Sequence, residues 1–196
     1  MWEELSAALC AKGYTVRCFP TAAAAADYLC GVIDEKTVGF GDSQTLLDMD
    51  LARRLSLCNQ VHDPQSGDFF LEARLALNTQ VFLTSVNAIS LQGELVNLDG
   101  SGNRAAGSLF GHEQVFFILG RNKICPTLEA AVQRVRQVAA PKNAQRLGKK
   151  TPCALHGDRC YDCRSPERIC NGLVIHLHKM SNTAMEVVLI DQELGL

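Results

Sequence analysis

The chain has 196 residues, 47% of them hydrophobic and 20% charged, with a formal net charge of -2. That hydrophobic share can bury a core and excludes a disordered chain, and the near balance of charge argues against nucleic acid as the main partner. No apolar run reaches the roughly 18–20 residues that span a bilayer, and Met1-Trp2-Glu3-Glu4-Leu5 lacks the basic start of an export signal, so a soluble, cytoplasmic protein with no membrane partner is expected.

Leu5, Ala8 and Leu9 share one side of a helix predicted over 3–12, which Gly13 ends. A strand is predicted over 14–19. Pro20 stops it, Thr21 caps the next helix, and 22–29 has high helix propensity. A second strand falls at 37–40, followed by a helix that begins at Asp42 or Ser43 and carries Leu46, Leu47, Leu51 and Leu55. A helix over 69–77 precedes strands at 81–84 and 94–98, and 114–119 is the most apolar strand candidate. Leu128, Ala131, Val132, Val135 and Val138 mark an amphipathic helix over 127–139, and strands recur at 173–177 and 185–190. Strands alternating with helices predict a single α/β domain over 1–196: a mostly parallel sheet covered on both faces, with a cysteine-bearing insertion at about 151–171.

Two glycine-rich turns carry candidate ligand chemistry. Gly39-Phe40-Gly41-Asp42-Ser43-Gln44-Thr45 joins a strand to a helix, so Gly41 permits close backbone approach while helix-start N–H groups and the Ser43 and Thr45 hydroxyls face an anion. It lacks the Gly-Lys-Ser/Thr ending of a Walker A loop. Tight geometry with an N-cap explains the same residues without a ligand. Asp99-Gly100-Ser101-Gly102-Asn103-Arg104 is the second turn, and Asn87 follows the strand at 81–84. In a parallel sheet such loops converge over the strand ends, so Gly41, Ser43, Thr45, Asn87, Asn103 and Arg104 are candidates to hold a small carboxylate or phosphate. No Ser/His/Asp triad can be assembled. Glu94, Asp99, His112 and Glu113 are expected at the surface rather than as acid–base groups, and no catalytic residue is assigned.

Nine cysteines and no export signal argue against a disulfide framework. Cys10, Cys18, Cys30, Cys58 and Cys125 sit among apolar neighbours and read as small buried hydrophobes. Cys153, Cys160, Cys163 and Cys170 instead fall in one segment with C-x6-C-x2-C-x6-C spacing, and four thiolates so placed can hold a metal. Structural zinc and an iron–sulfur cluster both satisfy that set, and a redox-active Cys160–Cys163 thiol pair is a further reading. His176 and His178 alternate with Ile175 and Leu177, which reads as a solvent-facing strand surface, with a metal-ligating pair as the alternative. Between 121 and 150, eight Lys or Arg stand against the single acid Glu129, read as a solvated helix face or an anion- or partner-docking face.

Taken together, these segments resemble the LUD family, named for lactate utilisation, from about Thr37 onward. The resemblance rests on Val38-Gly39-Phe40-Gly41-Asp42-Ser43-Gln44-Thr45-Leu46, Ser85-Val86-Asn87-Ala88-Ile89, Asn97-Leu98-Asp99-Gly100-Ser101-Gly102-Asn103-Arg104, Gly120-Arg121-Asn122-Lys123-Ile124 and the run from Arg134 to Asn143. The run from Cys160 to Asn171 is similar to the cysteine segment of a subgroup of that family. The resemblance implies a three-layer α/β fold like that of sugar-phosphate isomerases and coenzyme A transferases, with an anion-holding loop at 41–45. It also implies a role beside iron–sulfur and dehydrogenase-like redox partners in oxidising L-lactate. The alternative is a sugar-phosphate isomerase-like or acyl-transfer enzyme with a structural zinc site.

Overall fold

The computed structural model describes residues 2–196. Its first part runs α1 (Trp2–Ala11), β1 (Thr15–Phe19), α2 (Ala22–Val32), β2 (Thr37–Phe40), α3 (Gln44–Asp48), α4 (Leu51–Leu55) and β3 (Gln60–His62). Next come α5 (Phe69–Ala76), β4 (Val81–Thr84), β5 (Ala88–Ser90), β6 (Leu95–Asp99), α6 (Asn103–Leu109) and β7 (Gln114–Gly120). A 3-10 turn (Arg121–Lys123) leads into β8 (Ile124–Cys125) and α7 (Leu128–Arg134), which continues through a π-helical turn (Val135–Ala139) into α8 (Ala140–Arg146). Finally α9 (Pro152–His156) is followed by β9 (Gly172–His176) and β10 (Ala184–Ile190).

Six strands form one sheet in the order β1-β10-β7-β4-β2-β3, and every pairing is parallel. Alternation along the strands divides the core. Phe116, Ile118, Val188 and Ile190 face one side with Leu29, Leu46 and Leu51, and Val115, Phe117, Val187 and Leu189 face the other with Leu5 and Leu9. The sheet is therefore covered on both faces, as the three-layer α/β reading requires. Gly39 is where coverage comes closest: a β-carbon there would lie 2.4 Å from the Ala76 carbonyl oxygen of α5.

Two predicted strands do not join the parallel sheet. Residues 94–98 and 173–177 correspond to β6 and β9, which pair antiparallel in a second sheet of order β8-β5-β6-β9. A turn of a few residues, with Gly93 at φ +85°, joins β5 to β6, and so short a connection permits only antiparallel pairing. The helix expected from Asp42 or Ser43 through Leu55 is broken into α3 and α4 where Asp50 adopts φ +51°. Among the described residues no helix is long and apolar enough to cross a membrane.

The dispersed cysteines are mostly not core. Cys125 is buried and Cys30 half-buried, whereas Cys10, Cys18 and Cys58 are exposed. Cys10 follows buried Leu9 on α1 and so turns off its buried stripe, and Cys18 lies on an edge strand. The histidines correct the expectation in the opposite sense. β9 ends at His176, whose ring is fully buried 5.3 Å from Phe117, while His178 lies beyond the strand and is exposed.

Ser108 Oγ donates to the Ala105 carbonyl at 2.9 Å, so the 3.0 Å contact with His176 Nε2 requires the imidazole to donate. Nδ1 is then the unprotonated nitrogen, and it is buried without a partner. Burial depresses this imidazole from its ordinary 6.5 to about 4, so over that interval the unfolded chain binds a proton that the folded one refuses. Stability is complete above pH 6.5 and falls toward pH 4, by about 3 kcal/mol from this residue. Urea titrations of the native chain and His176→Leu across this range check it, the variant losing less stability on acidification.

Candidate functional site

The C-terminal ends of β2, β4 and β7 meet at one crevice, and each contributes the loop that succeeds it. From β2 come Ser43 and Thr45, both buried; from β4, Ser85; from β7, Lys123. Gly41 lets the first loop sit this close, because a β-carbon there would lie 2.7 Å from Thr84 Oγ1 and 3.1 Å from Arg104 Cγ. α3 has only five residues and Ser43 makes no side-chain cap bond, so the positive character of the crevice comes from side chains rather than from a helix dipole.

Lys123 is the central group. It is 3% exposed, and Nζ donates to Thr45 Oγ1 at 2.8 Å and Ser85 Oγ at 2.9 Å. No carboxylate pairs with it, and its third N–H has no acceptor among the described residues. Burial, reinforced by the like charges of Arg134 and Arg104, pushes the ammonium down from 10.5 to about 7, against a weaker opposing pull from Asp48. Arg134 donates to the carbonyls of Asn122, Asn87 and Leu196, and Arg104 to that of Leu98. Asn143 and Arg146 of α8 complete the rim.

Residues beyond β10 lie across this crevice. Leu194 exchanges hydrogen bonds with the Asn122 carboxamide, and the Gly195 N–H donates to Asp48 Oδ2 at 3.1 Å. Gly195 adopts φ +63°, and a β-carbon on it would lie 2.5 Å from Thr45 Oγ1. About 30 Å³ remains free beneath this segment, roughly one water's share of liquid volume. Asp42 and Ser43 also border a larger cavity of about 390 Å³, lined by Leu46, Leu47, Leu51, Val61 and Asp63. Burial pushes the Asp63 carboxyl up.

Of the sequence-predicted ligand residues, Ser43, Thr45, Asn87 and Arg104 line the crevice, and Gly41 packs against Arg104. The Asn87 carboxamide oxygen is already engaged, accepting from the Leu98 N–H at 2.8 Å. Asn103 does not join them: it opens α6 outside the crevice lining, with Nδ2 buried and unpartnered. Lys123, Arg134, Ser85, Asn143 and Arg146 were not predicted, although the excess of bases over 121–150 was the signal for most of them. That stretch is divided: Lys123 and Arg134 turn inward, while Arg121, Arg136 and Lys142 are exposed. Two residues expected at the surface are buried. Asp99 accepts from the Ala105 N–H and lies 3.7 Å from Arg104, and His112 stacks on Phe82 with Nδ1 2.7 Å from the Thr79 carbonyl. Glu94, half-buried, pairs with Lys12 at 3.0 Å, and Glu113 is exposed as expected.

The four clustered cysteines line a separate cavity of about 270 Å³ between the α7–α8 helix, the β6 and β9 strands and the 157–171 segment. Among the described residues, no three His, Cys, Asp or Glu side chains converge closely enough to hold a single metal ion. All nine cysteines are free thiols, Cys160 and Cys163 included.

A family model described as LUD domain matches residues 2–190. A crystal structure of a DUF162 family protein from Deinococcus radiodurans superposes with a TM-score of 0.56 at 12% sequence identity, covering 96% of this chain and 95% of that one. The likeness is one of fold. No curated protein matches the chain.

The depressed Lys123 ammonium gives a pH signature of opposite sign to that of a basic group whose charge folding favours. Between about pH 7 and 10.5 the unfolded chain holds the proton that the folded chain has released, so stability rises with pH across that window. Lys123→Met removes the buried charge: the rise is expected to vanish, and at pH 7 the variant to be at least as stable as the native chain. Melting temperatures from pH 6 to 9 check both.

Proposed function

The chain belongs to the LUD domain family, and from that premise we propose that it is an accessory subunit in organic-acid oxidation, with L-lactate the acid that the family's name points to. In this reading the crevice binds a small anion, redox proteins are its partners, and the clustered cysteines hold a metal ion or cluster. One observation carries the ligand claim: Lys123, Arg104 and Arg134 gather at the ends of the central parallel strands with no carboxylate paired to Lys123. An anion supplies the missing charge. Its oxygen takes the third N–H of Lys123 and the Ser43 hydroxyl, and the apolar wall of Leu46 and Leu47 in the adjoining cavity suits the short carbon body of a hydroxy acid.

The chemistry open to this arrangement is binding and proton handling at Lys123 Nζ. With its pKa near 7 the amine is partly neutral at physiological pH and can accept a proton; beside a bound carboxylate it is restored to the ammonium. The alternative, an isomerase or acyl-transfer enzyme acting on phosphosugars or coenzyme A esters, would use the same cations; about 30 Å³ beneath the 194–196 segment holds no more than a water, so an anion of either class enters only when that segment moves aside.

Calorimetry with L-lactate and inorganic phosphate tests the reading. Binding is expected to take up a proton near pH 7.5, seen as a dependence of the measured heat on buffer ionisation enthalpy, and to weaken as pH rises further. Lys123→Met is expected to lose tenfold or more in affinity. Removing residues 194–196 is expected to tighten binding of the larger anion by uncovering Thr45 and Lys123. Absence of binding by either anion to both the native and the shortened chain overturns the proposal.

A further inference from the structure

We propose that Lys123 is a Schiff-base lysine, whose amine condenses with the carbonyl carbon of a small 2-oxo acid. The inference rests on the reading that the crevice binds a small organic anion, and goes beyond it by naming a covalent step and the class of acid that undergoes it. Nζ is fixed by two hydrogen bonds, to Thr45 Oγ1 at 2.8 Å and Ser85 Oγ at 2.9 Å, and a neutral amine keeps both. Its lone pair then takes the direction of the ammonium's third N–H, which meets no acceptor among the described residues. The hydroxyls that hold its hydrogens therefore aim the nucleophile. Other lysines are engaged differently: Lys12 pairs with Glu94 at 3.0 Å, Lys179 donates to the Met180 and Thr183 carbonyls, and Lys142 is exposed. Burial beside Arg134 and Arg104 completes the activation. With a pKa of about 7, about half of the Lys123 amine is neutral at pH 7, against roughly one part in 3,000 for a lysine at 10.5.

The same crevice supplies the other groups. Arg104 and Arg146 line it beside Lys123 and offer guanidinium groups to a carboxylate, while Lys123 meets the carbon next to that carboxylate. A carbonyl adjoining a carboxylate defines a 2-oxo acid, the compound that a 2-hydroxy acid becomes on losing two hydrogens. Attack by Nζ forms the C–N bond as the carbonyl π pair moves onto oxygen. Both amine hydrogens then leave with that oxygen as water, and the imine remains. The Thr45 and Ser85 hydroxyls, already bonded to Nζ, are placed to pass those protons. No oxidant or reductant is consumed. Once protonated, the imine draws electrons from the bonds at the neighbouring carbons. About 30 Å³ is free beneath the 194–196 segment, so the acid enters as that segment leaves its hydrogen bonds to Asn122 and Asp48.

The test incubates the full chain at about pH 7.5, well below the ordinary lysine range, with pyruvate and sodium cyanoborohydride, which reduces an imine to a stable amine. Intact mass and peptide mapping read the outcome. The expected result is a single adduct on Lys123, with a mass gain equal to pyruvate less one oxygen atom. L-Lactate, which has no carbonyl, is expected to give none. Lys123→Met is expected to lose the adduct and Lys142→Met to keep it, with circular dichroism confirming that each chain is folded. An adduct that persists in Lys123→Met, or no adduct on the native chain while calorimetry still shows L-lactate binding, overturns this inference alone. No adduct and no binding of either acid overturns the anion reading with it.

Discussion

An ammonium group taken out of water at the ends of parallel strands constrains everything around it. Lys123 is held there by two hydroxyls, Thr45 and Ser85, from the segments that leave two other strands, and, among the described residues, by no ion pair. The loops must therefore come within hydrogen-bond distance of one atom, which requires the tight packing at Gly41 and the adjacency of β2, β4 and β7. Charge desolvation of this kind is unfavourable to folding in its own right. In the reading proposed above, an anion bound beside Arg104 and Arg134 would offset that cost.

The parts of this arrangement that obey local rules are readable from residues alone. The buried strands at Val81–Thr84 and Gln114–Gly120 are continuous apolar runs, and the Gly41-to-Thr45 turn shows its hydroxyls and its glycine openly. Lys123 is not readable in that way, because an isolated lysine in sequence is almost always a surface residue and only the convergence of three loops buries it. Asn103 stands apart from the crevice for the complementary reason: it adjoins Arg104 in the chain, but the start of a helix turns neighbouring side chains about 100° apart. His176 was hidden by strand alternation, which puts His178 on the same face only if the strand continues, and β9 stops between them.

The crevice and the thiol-lined cavity are two sides of the same elements. Leu98 of β6 gives its side chain to the cysteine cavity, while its N–H and carbonyl are bonded to Asn87 and Arg104. Along the α7–α8 helix, Arg136 and Pro141 face the cysteines, whereas Asn143 and Arg146 rim the crevice. Pro141 and Asn143 stand two residues, about 200°, apart on α8, so that one continuous helix serves both cavities.

The strand order also orders assembly in time. β1 has no neighbour but β10, with Thr15 opposite Glu186, so the edge of the main sheet is stitched from segments roughly 170 positions apart. Until β10 is present β1 has no strand to pair with, whereas α2 can already pack against Leu46, Leu51 and Leu55. The β2–β3–β4 unit can pair as soon as it appears. Within this architecture β1 is therefore the strand whose pairing waits for the most distant partner.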